Sequence, residues 1–143
     1  MYVNGHSSQE KTPLALAVKC DNVEAVKSLI DAGADVNLPE YSYWTDDIPI
    51  YAVRSAEVLK LLVKAGVDIE RKKDGNTPIK HYTQCDRIDL VEGLIAAGAN
   101  LNARDDNGWT AAKWAKYFNY KKIYNALIRA GAEKPQSDGC IVM

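Results

Sequence analysis

Reactive side chains are scarce in this chain. It has two histidines, His6 and His81, and three cysteines, Cys20, Cys85 and Cys140, all widely spaced. That is too few, and too scattered, for a zinc cluster or a disulfide framework. The odd cysteine count suits a reducing compartment. No glycine-rich phosphate loop and no nucleophile elbow is present. No apolar run approaches the ~18 residues that span a bilayer. Residues Met1 to Lys11 lack the apolar centre of a secretory signal. Net charge is only −1, which removes bulk electrostatic attraction to nucleic acid. These gaps lead us to expect a cytoplasmic protein with no catalytic residue, no metal and no cofactor.

What the chain has is a period. Four segments match: Asp31-Ala-Gly-Ala-Asp-Val-Asn37, Lys64-Ala-Gly-Val-Asp-Ile-Glu70, Ala96-Ala-Gly-Ala-Asn-Leu-Asn102 and Arg129-Ala-Gly-Ala-Glu133. Their glycines, Gly33, Gly66, Gly98 and Gly131, recur at a nearly constant interval. A second mark keeps the same phase: Thr12-Pro13-Leu14, Ile48-Pro49-Ile50, Thr77-Pro78-Ile79 and Thr110-Ala111-Ala112. Thr is a good helix N-cap, and Pro suits the first helical position because its missing N–H would have had no partner there. Gly after a small residue ends a helix in the left-handed conformation. Between the marks run Val23, Val26, Leu29 and Ile30, repeated as Ala56, Leu59, Leu62 and Val63, then as Ile88, Val91, Leu94 and Ile95. That spacing is one face of a helix. Each unit therefore reads as helix, turn, helix and an extended finger.

Thr12-Pro-Leu-Ala-Leu-Ala17 and Thr77-Pro-Ile-Lys-His-Tyr82, with the turns Asp74-Gly75-Asn76-Thr77 and Asn107-Gly108-Trp109-Thr110, resemble the ankyrin repeat signature on its period of about 33. The resemblance covers roughly Thr12 to Glu133. It implies an all-α repeat solenoid of about four ankyrin repeats, each a helix-turn-helix with a β-hairpin finger. The domain is expected over 1–134, with repeats at about 5–37, 38–70, 71–102 and 103–134 and a flexible tail over 135–143.

The second repeat is irregular. Pro13 to Gly33 and Pro78 to Gly98 are equally long, but Pro49 to Gly66 is shorter. Its finger compensates, since Gly33 to Pro49 is longer than Gly66 to Pro78. A shortened helix pair puts Ile50, Ala52 and Val53 near the core; the rival register starts the helix at Thr45. Ala15, Lys80 and Lys113 replace the signature histidine, which removes a family hydrogen bond and predicts looser fingers. Trp114, Tyr117, Phe118, Tyr120 and Tyr124 crowd the last repeat, where they are expected to close the core on one side and meet water on the other. Val3-Asn4 lies one period before Val36-Asn37, so the chain is expected to open on the tail of a further repeat. Cys85 and Cys20 share a repeat phase, and with His81 they read as packing residues near the inner helix.

The family's ligands lie on the fingers and inner helices. Carried over position by position, that face comprises Trp44, Lys72, Lys73, Asn76, Lys80, Asp106, Trp109 and Lys113. Tyr41 and Tyr43 join Trp44 on the second finger, where Asp31 to Pro49 holds five acids and no Lys or Arg. Aromatic anchors in an acidic surround suit a basic or amphipathic protein partner; covering the shortened helix pair is the competing role.

The chain ends Cys140-Ile141-Val142-Met143, which resembles a C-a-a-X signal, with the final Met pointing to farnesyl on Cys140. One lipid chain anchors weakly and needs a second signal. Thr110 to Lys134 offers one, with six basic residues and one acid. The resulting reading is a monomeric interaction module that binds a protein, not nucleic acid, and is tethered to a membrane's cytosolic face, as a host-directed bacterial effector would be. A soluble inhibitor of an enzyme such as a kinase, without the anchor, is the alternative.

Overall fold

A computed structural model describes residues 12–37 and 48–135. The second finger, with the rival helix start at Thr45, and the terminal Cys140 motif lie outside them. The chain divides into two compact units, Met1–Arg71 and Lys72–Met143.

The first unit contains α1 (Pro13–Lys19), α2 (Val23–Asp31), a single 3-10 turn (Pro49–Tyr51) and α3 (Ala56–Lys64). Thr12 caps α1 by accepting from the Ala15 N–H at 3.1 Å, and Pro13 occupies the first turn. Asn22 and Ser55 cap α2 and α3 in the same way. α2 packs on α1 and α3, and the 3-10 turn packs on α1. The core is Leu14, Val18, Val26, Ile50, Val58, Leu59 and Leu62, each 1% exposed or less.

The shortened pair is thus more extreme than its spacing implies: one 3-10 turn replaces a whole first helix. Ile50 and Val53 still reach the core, while Ala52 is half-buried. The Tyr51 hydroxyl donates to the Arg71 carbonyl and ties the turn to the end of the unit. The reversal between paired helices explains part of this irregularity. Asp21, Asp86 and Asn119 all sit there at φ of 55°, 56° and 62°. Asp and Asn tolerate that conformation better than most residues. The second repeat has Arg54 in the same phase, and Arg54 is not among the left-handed residues.

The second unit contains α4 (Pro78–Gln84), α5 (Ile88–Ala96), α6 (Ala111–Tyr117) and α7 (Lys121–Arg129). α4 packs on α6 and α5 on α7, while α4–α5 and α6–α7 form the two antiparallel pairs. Ile79, Leu90, Val91, Leu94, Ile123 and Leu127 fill its core. Thr110 caps α6 by accepting from the Lys113 N–H at 3.2 Å. Thr77 occupies the cap position of α4 without a side-chain bond to it.

All four second helices end alike. Gly66 has φ +91°, its N–H donates to the Val63 carbonyl, and the next N–H, of Val67, donates to Leu62. Leu29, Leu94 and Leu127 accept the same long bond in their own repeats. This paired closure satisfies the last carbonyls of the helix. Leu29 differs in burial: it is half-buried, whereas Leu62, Leu94 and Leu127 are fully buried.

The expected β-hairpin fingers are shorter than hairpins. Among the described residues there is no extended strand, only one antiparallel bridge, Lys73 with Asn76. Asp74 and Gly75 turn the chain at φ of 52° and 79°, the geometry of a tight two-residue reversal. Neighbouring repeats are clamped within each unit by asparagine. Asn37 Oδ1 accepts from the Asp68 N–H at 2.6 Å, and its Nδ2 donates to the Gly66 carbonyl. Asn102 accepts from the Glu133 N–H at 2.9 Å.

Candidate protein-binding surface

The last finger and α6 share one buried carboxylate. Asp105 lies in the turn before Trp109, and its side chain is 1% exposed. One oxygen accepts the N–H groups of Asn107 and Trp109, both at 2.9 Å. The other accepts Trp114 Nε1 at 2.7 Å and the Lys80 ammonium at 2.9 Å. Burial alone would push this carboxyl up. The Lys80 ammonium and the N–H groups of Trp109, Trp114 and Asn107 outweigh burial and hold it at about 2, below its ordinary 3.8. Lys80 also donates to the Asn76 side chain. One charged pair therefore joins the third finger, α4, the fourth finger and α6.

This network fixes a layer of aromatic rings. Trp109 and Trp114 lie 4.6 Å apart between centroids, Tyr117 meets Trp109 at 5.5 Å, and Phe118 stacks on Trp114 at 5.5 Å. Lys113 Nζ stands 4.5 Å from the Trp109 ring centre, within cation–π range. The aromatics were expected to close the last core on one side and meet water on the other; Trp114, Tyr120 and Tyr124 are half-buried, while Tyr117 and Phe118 are exposed. That core is Ala111, Ala112, Ala115, Ile123 and Leu127, and the rings pack on one another outside it. Tyr117 remains 66% exposed and Phe118 40%.

The family model for ankyrin repeats in three copies matches residues 48–138, and the single-repeat model matches residues 9–41. The chain belongs to the ankyrin repeat family. Human neurogenic locus notch homolog protein 2 is 32% identical over 130 residues, and human neurogenic locus notch homolog protein 1 is 32% identical over 129 residues. The Xenopus tropicalis notch 1 homolog is 31% identical. Each match covers 87% of this chain but only 5% of the relative. Ankyrin repeats are protein–protein interaction modules, and that is the general class of this chain.

The residues expected on the ankyrin binding face divide into five groups. Trp109 and Lys113 meet in the aromatic layer. Lys72 and Asp106 are exposed on the third and fourth fingers, with the Asp106 carboxylate lying over Gly75. Lys73 and Asn76 close the third finger on each other. Lys80 is only 8% exposed and is engaged internally. It occupies the place of the signature histidine, and it ties the fingers where looser ones were expected. Tyr41, Tyr43 and Trp44 lie outside the described residues. Asp105, Trp114 and Tyr117 were not assigned to the face from the sequence. The signal for Asp105 was its place ahead of Thr110 in a turn of Asn and Gly.

The cysteines differ from expectation as well. Cys20 and Cys85 share a structural place, ending α1 and α4, but both thiols are exposed instead of packed. Cys85 Sγ lies 4.0 Å from His81 Nε2. Burial and then the nearby Lys73 charge hold His81 below its ordinary 6.5, so it is neutral at pH 7. Among the described residues no group of three His, Cys, Asp or Glu is placed to hold a metal. No described helix is long and apolar enough to cross a membrane.

Proposed function

We propose that this ankyrin protein binds its partner on the Trp109–Trp114–Tyr117 layer, edged by Lys72, Lys73, Asn76, Asp106 and Lys113. The observation that carries this reading is a ring cluster locked from beneath by Asp105 while Tyr117 stays 66% exposed. Rigid, half-exposed aromatics lose little entropy on binding and make strong anchors. The lysines favour a partner segment with acidic or carbonyl-rich edges. Tyr41, Tyr43 and Trp44, in their acidic surround, would form a second contact zone for a basic stretch of the same partner. The module acts as a monomer.

The Cys140-Ile141-Val142-Met143 terminus supports a second element, a farnesyl tether to the cytosolic face of a membrane. A soluble inhibitor of an enzyme such as a kinase is the reading without that tether. Affinity capture from eukaryotic cytosol tests the binding face. Trp109→Ala should lower partner recovery by at least about fivefold, as for a binding hot spot, with the fold retained. Unchanged capture would refute the assignment. Intact mass and fractionation of the protein made in eukaryotic cells test the tail. Wild type should carry farnesyl and sediment with membranes, and Cys140→Ser should not. An unmodified Cys140 there would leave the soluble reading.

A further inference from the structure

The second helix of each repeat starts by a rule that the last repeat breaks. The second residue of α2 is Glu24, of α3 Glu57 and of α5 Asp89. An acid there is stabilised by the partial positive charge of the helix start. α7 has Lys121 and Lys122 in its first turn and no acid. Lys122 therefore sits where the other three repeats place an anion, with Lys121 beside it, and the helix start disfavours both. No acid occurs from Asn107 to Ala132, so nothing nearby in sequence compensates. Local rules broken in this way cluster at functional sites.

The surroundings indicate which anion would favour such an arrangement. A recess of about 190 Å³ opens beside the α6–α7 turn, lined by Lys116, Asn119, Lys121, Tyr124 and Asn125. Its lining supplies two ammonium groups, two amides and a phenol. Such a lining suits one phosphate-bearing headgroup. Phe118, 40% exposed, stands in the same turn, stacked on Tyr120 at 5.4 Å. Aromatics flanked by lysines match the chemistry of a bilayer's headgroup region.

We propose that the α6–α7 turn is a docking surface for an anionic bilayer, with the recess taking a lipid headgroup, Lys122 facing the surface charge and Phe118 entering the interface. It adjoins the Trp109 face, because Phe118 stacks on Trp114 at 5.5 Å. It deepens the membrane-tether reading and rests on it, because this turn would be the second signal that a single farnesyl needs.

The test uses the full chain carrying Cys140→Ser, made in bacteria, so that no lipid is attached. It is sedimented with phosphatidylserine-rich vesicles and with pure phosphatidylcholine vesicles. Binding should appear on the first only and fade with added salt. Each lysine near an anionic surface contributes roughly fivefold, so Lys121→Glu with Lys122→Glu should lower partition by about 25-fold or more. Lys122→Glu restores the acid of the other repeats, so its melting temperature should hold or rise, and lost binding cannot then be lost folding. Phe118→Ala should weaken the binding that persists in salt. No vesicle binding by the parent chain, equal binding to both vesicles, or indifference to the charge reversal would each overturn the proposal. So would capture of a soluble acidic peptide by Lys121 and Lys122 with vesicles unbound. If vesicles fail while farnesylated protein still sediments with cell membranes, the tail reading stands and this one falls. If vesicles succeed while Cys140 is unmodified in cells, the reverse holds.

Discussion

Removing the Asp105 carboxylate should destabilise the second unit more than any other single polar change. In Asp105→Ala, the buried Lys80 ammonium loses its charged partner and keeps only the Asn76 amide, while Trp114 Nε1–H and the N–H groups of Trp109 and Asn107 lose their acceptor. An ion stripped of its buried partner costs about 3–5 kcal/mol. Asp105→Asn keeps one acceptor oxygen and should lose less, about 2 kcal/mol. The pH dependence gives an independent figure. The carboxyl titrates at about 2 in the fold against an ordinary 3.8, and a shift of that size corresponds to about 2 kcal/mol. Because the folded value is the depressed one, this stability is fully present above the unfolded value. It is lost as pH falls from about 4 through about 2. The chain has three tryptophans, and two of them, Trp109 and Trp114, donate directly to Asp105. Urea melts followed by tryptophan fluorescence therefore read this site. The gap between wild type and Asp105→Asn should narrow steadily as the pH is lowered from about 5 to about 2. A gap that stays constant, or an Asp105→Ala loss below about 1 kcal/mol, would refute the reasoning.

Leu94→Ala should cost ~2–5 kcal/mol in a urea melt, because Leu94 is fully buried. Leu29→Ala, at the same repeat position but half-buried, should cost less, under about 2 kcal/mol. Equal losses would mean that the two sites are covered alike. Asn37→Ala removes the acceptor of the Asp68 N–H and the donor to the Gly66 carbonyl. It should cost about 1–2 kcal/mol and speed hydrogen exchange at the Asp68 amide, which distinguishes a clamp from a surface asparagine.

Much of the architecture was legible along the chain, because the signals that build each repeat are local. A helix start needs a capping oxygen, as at Thr12 and Thr110, and its end needs a residue free to take positive φ, as at Gly33 and Gly66. Both requirements act within a few residues, so their regular recurrence announces the fold. The deletion between Pro49 and Gly66 likewise announced the irregular second repeat. Some local signals were overlooked: Asn22 and Ser55 are good caps, and Asp21, Asp86 and Asn119 mark the turns.

What only the tertiary structure decided involves residues that meet across repeats. Lys80 and Asp105 belong to different repeats, and nothing in either neighbourhood shows that one neutralises the other in a buried site. That pairing turned Lys80 from a binding residue into a strut and gave Trp109 and Trp114 a fixed floor. Composition likewise could not tell whether Trp114, Tyr117 and Phe118 would enter the last core or lie on it. The small Ala111, Ala112 and Ala115 already let α6 approach its neighbours closely, so the large rings were left outside. Leu29 shows the same limit from the other direction. It has the same sequence pattern as Leu94, yet it is half-buried where Leu94 is fully buried, and the repeat pattern does not encode that difference.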